Sequence, residues 1–205
     1  MKQSTLLILG AVVLLLLYGG CKYNSIIPVK NTVDAKWANV QSEYQRRNDL
    51  IPNVVEAVKG EANFEKGVLE GVINARASAT KMTVNASDLT PEKLKEFQDA
   101  QGQIGSAIGR LLSVSEQYPN LKANAAFQEL RVELEGTENR IKVARNDYNG
   151  AVKDYNNTTE TFPTNLFAGF FGFKPRPFFE ADKGAEKAPN LKGTFDNIGG
   201  SAPNK

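Results

Sequence analysis

From Phe127 to Tyr155 an apolar or small residue recurs at alternating three- and four-residue spacings: Phe127, Leu130, Leu134, Thr137, Ile141, Ala144, Tyr148, Ala151 and Tyr155. Such a stretch forms a helical rod of roughly 50 Å with a narrow stripe along one side, the 3.5-residue repeat of coiled-coil packing. The stripe has to be covered by others of its kind, and the chain supplies them. Val29, Val33, Trp37, Val40 and Tyr44 line one helix face, with Lys36, Glu43 and Arg46 elsewhere. A second stretch is expected from Pro52 to about Lys81, with Val54, Val58, Ala62, Leu69, Val72 and Arg76 or Ile73 facing inward. The third carries Leu94, Phe97, Gln101, Ile104, Ile108 and Leu111, a heptad with one polar interruption at Gln101. That interruption suits a residue that fixes helix register. Short connections make neighbours antiparallel, so the expected fold is all-α: an up-and-down bundle of about four long helices.

Boundaries follow from proline and capping chemistry. Pro28 is expected to block or kink the helix entering the first stretch, and Pro52 to make a hairpin corner or sharp kink after Arg46-Arg47-Asn48-Asp49. Gly60, Gly67 and Gly71 each cost a helix about 1 kcal/mol against Ala. Residues 83–90 read as a polar loop, closed by Thr90 as N-cap and Pro91 as first helical residue. Tyr118-Pro119-Asn120 ends the third stretch, because the residue before proline avoids the helical region.

Gln3 to Cys21 carry no formal charge, and Leu6 to Tyr18 are nearly all Leu, Ile, Val and Ala. As a helix this run measures roughly 28 Å, enough for a hydrocarbon core of about 30 Å. Two membrane fates are compatible with it. It can remain as an anchor, or Gly19-Gly20-Cys21 can be a lipoprotein processing site with Cys21 acylated. Tyr18, where such sites carry an aliphatic residue, favours the retained anchor. Lys2 and a short tail place the main domain on the extracytoplasmic side, while Lys22, Lys30 and Lys36 pull the other way.

Several function classes are removed by composition. The chain contains no histidine and one cysteine. Ser-His-Asp triads, zinc sites of the usual N/S type, histidine-bound haem and the Glu-x-x-His di-iron site of helical bundles are therefore absent. No cofactor and no metal is expected. Net charge is only +2, with Lys and Arg interleaved among Asp and Glu, which is not the basic stripe of a nucleic-acid binder. Glu129, Glu133, Glu135 and Glu138 lie close together but read as a solvated helix face.

A different texture begins at Phe162. Phe162, Phe167, Phe170, Phe171, Phe173, Phe178 and Phe179 hold most of the chain's 11 phenylalanines, between helix-breaking Pro163, Pro175 and Pro177. Such a segment either folds back to cap the bundle or presents an apolar patch to a partner or a membrane surface. From Lys183 onward Gly, Pro, Asn and Lys dominate, and a disordered tail is expected. The expected organisation is a membrane segment over 1–22, a bundle over 23–160, an aromatic-rich segment over 161–182 and a tail over 183–205.

Tyr23-Asn24, Val33 to Trp37 and the run Gln45-Arg46-Arg47-Asn48-Asp49-Leu50-Ile51-Pro52-Asn53 through Gly60 occur in that order. Ala75-Arg76, Pro119-Asn120-Leu121, Glu138-Asn139-Arg140-Ile141, Arg145 to Asn149, Phe162-Pro163 and Phe171-Gly172-Phe173 follow. Together they resemble the LemA family over residues 22–180. The resemblance implies an N-terminal transmembrane helix and a long-helix bundle in a bacterial membrane, and no established catalytic activity. Candidate interaction residues are Arg46, Arg47, Asp49 and Asn53 at the corner and Phe167, Phe170, Phe171 and Phe173 in the aromatic segment. At the corner, Asp49 can cap a helix opening near Pro52, and an arginine can pair with a carboxylate on a neighbouring helix. The expected role is a membrane-tethered scaffold that assembles with copies of itself or an unidentified protein partner. The alternative is a lipid- or small-ligand-binding module. Exposed stripes would favour the first, and an enclosed apolar cavity the second.

Overall fold

A computed structural model describes residues 3–180. The tail expected from Lys183 and the N-terminal Lys2 lie outside the described residues. The chain is all-helical: α1 (Gln3–Lys59), α2 (Lys66–Thr80), α3 (Pro91–Ser115), the short α4 (Pro119–Ala123), α5 (Ala125–Glu160) and α6 (Thr164–Phe170). α1 and α5 form the long antiparallel pair at the centre, and the α2–α3 hairpin packs on it.

The largest correction concerns the two prolines. α1 runs unbroken through Pro28 and Pro52, so neither ends a helix and no hairpin corner forms at Arg46–Asn53. A proline inside a helix leaves the carbonyl four residues earlier without its donor. At Pro52 that carbonyl belongs to Asn48, and it accepts instead from Arg76 Nε of α2 at 3.0 Å. At Pro28 both the proline and Asn24 are exposed, so water reaches the freed carbonyl.

The corner falls later, between Lys59 and Lys66. Asn63 adopts φ +71° there, a left-handed conformation that Asn tolerates. Phe64 folds under the corner against Tyr118, whose hydroxyl donates to Asn63 O at 3.0 Å. The interruption resets the helical phase. Val68, Val72 and Ala79 face inward on α2, whereas Ala62 and Ile73 are exposed.

The expected caps and stripes of the later helices are present. Thr90 Oγ1 accepts from Lys93 N, with Pro91 at the first helical position. Leu94, Phe97, Gln101, Ile104, Ile108 and Leu111 are all buried on α3. The α5 stripe is buried as well, except for half-buried Leu130. Residues 83–90 contain one 3-10 turn (Ala86–Asp88), and Val84 and Leu89 point into the core.

The interior divides into two apolar clusters. One surrounds Ile26, Trp37, Tyr44, Phe97, Tyr148, Tyr155 and Phe179. The other surrounds Ile51, Val58, Phe64, Ile104, Leu111, Phe127 and Leu134 at the far end. Arg47, Asn48, Gln101 and Thr137 are buried between them as a polar layer.

Candidate functional site: a polar layer and an aromatic strap

The corner residues proposed for interaction separate once α1 is seen to continue. The stripe Val40, Tyr44 runs on through Arg47 to Ile51, Val54 and Val58, which places Arg47 on the inner face. Its guanidinium donates to Glu138 Oε1 on α5 at 2.7 Å, and to Gln101 O and Oε1 on α3 at 2.8 and 2.7 Å. The same group lies 5.1 Å over the Tyr44 ring. One arginine thus ties three helices together, and Gln101, the interruption in the α3 heptad, is its partner.

The neighbours of Arg47 are peripheral. Arg46 is exposed and pairs with Glu133 at 3.3 Å. Asp49 caps nothing, since no helix opens there; it accepts from Gln45 Nε2 at 2.7 Å. Asn53 is exposed on α1. Glu133 and Glu138 therefore face arginines of α1, and Glu135 pairs within α5 with Arg131. A groove of about 570 Å³ opens beside the layer, lined by Arg47, Lys95, Gln98, Gln101, Glu138 and Arg145 among others. It is an open, mixed-charge groove rather than an enclosed apolar cavity. Among the described residues no three carboxylates or thiolates converge as a metal cage.

After α6 the chain turns back as an extended strap along α5, held by two asparagines seven residues apart. Asn149 Oδ1 accepts from Phe179 N at 2.9 Å while its Nδ2 donates to Phe179 O at 3.1 Å. Asn156 does the same with Arg176, at 2.8 and 2.9 Å. Each side-chain amide thus acts as a backbone edge, satisfying a strap that has no sheet to join. Phe179 fills the space beside Trp37 and Tyr148, and the Arg145 guanidinium lies 5.0 Å over its ring while donating to Glu180 O. The Arg176 guanidinium donates to Ala86 O and Asp34. Tyr148 donates to Pro177 O at 3.2 Å, and burial pushes its hydroxyl up to about 12. Asn156 and Arg176 escaped the sequence reading. The seven-residue spacing of Asn149 and Asn156, each following a stripe tyrosine, was the signal available.

Replacing both Asn149 and Asn156 by Ala removes four strap hydrogen bonds, at about 0.5–1.5 kcal/mol each. Amide exchange at Arg176 and Phe179 is expected to accelerate at least tenfold, with the α5 amide of Ile141 still protected. Unchanged exchange at those two amides would show that the asparagines do not hold the strap.

The aromatic segment is divided. Phe179 is buried, and Phe173 is half-buried against Tyr23. Phe167 packs on Tyr18, and Phe171 on Tyr23. Phe170 is 83% exposed, with Phe162 and Leu166 at 75% and 64%. The fold-back expectation thus holds for Phe179, Phe173, Phe171 and Phe167, while Phe162, Leu166 and Phe170 are left exposed. Cys21 is a free, exposed thiol. The apolar part of α1 is long enough to cross a membrane, and 6% of that window is buried within the protein. It is not a core helix.

The LemA family model matches residues 36–192. Magnetosome protein MamQ 2 of Paramagnetospirillum magneticum is 29% identical over 178 residues, covering 78% of this chain and 65% of that protein. Magnetosome protein MamQ of Magnetospirillum gryphiswaldense is 26% identical, covering 77% and 64%. Protein LemA of Metamycoplasma hominis is 27% identical over 145 residues, covering 71% and 63%. The chain spans just under two thirds of the length of these relatives. With the family model covering well over half its residues, and with an all-helical fold in which the run Gln45–Lys59 lies within the unbroken α1, this protein belongs to the LemA family.

Proposed function

We propose that this protein is a membrane-anchored helical scaffold: a rigid bundle carried by its own first helix, self-assembling, single-pass, and without catalytic chemistry of its own. The observation that carries the reading is the continuity of α1. Its 57 residues make a rod of about 85 Å in which the apolar anchor and the bundle's central helix are one element. A soluble domain on a flexible tether would swing freely; a continuous helix transmits the anchor's orientation to the bundle. The names of the MamQ relatives refer to a structure, the magnetosome, and not to a reaction, which agrees with a structural role.

Assembly has to use surfaces other than the heptad stripes, since α3 and α5 spend theirs inside one chain. The anchor offers exposed Leu7, Leu14 and Leu17 in the membrane plane, where helices associate by close packing and lipid entropy. Light scattering of the full-length protein in detergent is expected to give a large, discrete assembly. A chain starting at Lys22, which keeps the core from Ile26 onward, is expected to be a monomer. A monodisperse monomer in both would rule out self-assembly.

A further inference from the structure

The exposed face of Phe162, Leu166 and Phe170 lies at one particular level of the molecule. The cross-pairs Lys36–Asp147, Glu43–Arg140 and Arg47–Glu138 set an antiparallel register in which each step forward on α1 matches a step back on α5. Continued to the end of α5, that register brings Glu160 beside Tyr23. α6 then carries the chain further along α1. The Phe167 ring stands 5.5 Å from the Tyr18 ring, and its edge lies 3.0 Å from where a Cβ on Gly19 would sit. A Cβ there would be tighter than ordinary van der Waals contact, so any larger residue would require the Phe167 ring to give by a few tenths of an ångström.

The same stretch of α1 marks the membrane boundary. Lys22 is the first charge after the apolar run, and its ammonium reaches 5.4 Å over Tyr18. Tyr18, Lys22 and Tyr23 form the aromatic and cationic pattern found where helices leave a bilayer. The Phe167 contact lies on the apolar side of Lys22. It is therefore deeper than the end of α5 by about a turn, or roughly 6 Å, the depth at which interfacial helices bury their apolar faces.

We propose that α6 with Phe162 is a membrane foot: it lies in the interfacial layer of the bilayer that the anchor crosses, with Phe162, Leu166 and Phe170 against the acyl chains. The occupant of this face is lipid because of its level. Once the anchor is inserted, the Phe167–Tyr18 contact at one end of α6 and the Phe171–Tyr23 contact at the other hold this face across the headgroup boundary, where lipid is the neighbour at hand. The foot gives the bundle a second membrane contact beside the anchor, and two contacts fix the rotation and tilt that one helix leaves open. The proposal rests on the membrane-anchored reading above, and one label set tests both.

The experiment uses full-length protein with Cys21→Ser, reconstituted into phosphatidylcholine–phosphatidylglycerol vesicles. Single nitroxide labels are placed at Leu14→Cys, Leu166→Cys, Phe170→Cys and, at the far end of the bundle, Lys66→Cys. Paramagnetic resonance then compares collision with oxygen, which favours lipid, against collision with a water-soluble nickel chelate. Labels at 166 and 170 are expected to show an oxygen-to-nickel ratio several-fold above that at 66, approaching that at 14. A ratio at 166 and 170 equal to that at 66, with 14 in lipid, overturns the foot and leaves the anchor intact. Exclusion of both reagents from 170 overturns it in favour of a second copy or another protein. A water-exposed label at 14 overturns the anchored reading itself.

Discussion

Trp37→Asp is expected to abolish the cooperative unfolding transition, leaving the chain without its bundle at 25 °C. Trp37 is 1% exposed and touches nearly every layer of the proximal core. Its ring centre lies 5.2 Å from Phe97 of α3, 5.6 Å from Tyr148 of α5 and 6.0 Å from Phe179 of the strap. Its Nε1 donates to Val84 O of the connecting loop at 3.0 Å. Truncating such a residue to Ala costs about 3–5 kcal/mol. A carboxylate put in its place adds a desolvation penalty of several more. The total rivals the roughly 5–15 kcal/mol by which domains are stable. Trp37→Phe is the control. It keeps most of the packing, and Val84 O still accepts from Gln41 Nε2 at 3.0 Å, so the loss is expected to be about 1–2 kcal/mol. Urea titration followed by circular dichroism reads both. An Asp variant with the wild-type midpoint would mean that Trp37 does not hold these layers together.

How much of this was legible depends on whether the relevant partner is near in sequence. The stripes of α3 and α5 are local patterns, and their periodicity alone identified every buried position on α3 from Leu94 to Leu111. The Thr90–Pro91 start is equally local. Pro52 misled because the cost of a missing donor was reckoned within the helix, whereas Arg76 repays it from α2, 24 residues later in the chain. With Pro52 read as a stop, the stripe cannot be followed from Tyr44 through Arg47 to Ile51; the expected pairing of a corner arginine with a carboxylate on a neighbouring helix is found in Arg47–Glu138, but its place on the inner face is not legible. The strap was illegible for the same reason. Asn149 and Asn156 are ordinary polar residues on a helix until an extended chain is laid beside them. No local rule separates Phe179, 5% exposed, from Phe170, 83% exposed; only the return of the strap along α5, held on Asn149 against Trp37 and Tyr148, does so.

Arg47→Met is expected to cost about 2–3 kcal/mol, and the double variant Arg47→Met/Gln101→Leu to recover most of it. Removing the guanidinium leaves Gln101 Oε1 buried without its donor, and an orphaned buried acceptor costs about 1–3 kcal/mol. Glu138 adds less than a buried carboxylate would, because its side chain is 45% exposed and water can replace the arginine. The arginine itself is imperfectly satisfied: its Nε is buried without an acceptor among the described residues. An apolar pair of similar volume therefore gives up little. At about 2–4 °C per kcal/mol for a domain of this size, the single variant melts roughly 4–12 °C lower and the double variant within a few degrees of wild type. Arg47→Lys is not expected to substitute, since one ammonium cannot reach both Glu138 and Gln101 in the forked geometry of the guanidinium. A double variant no more stable than Arg47→Met would show that Gln101 is not the partner that matters. The same double variant also separates structure from contact. If it folds and still assembles in detergent, the polar layer sets helix register and nothing more. If it folds but no longer assembles, assembly depends on the helix register set by this layer and not on the anchor alone.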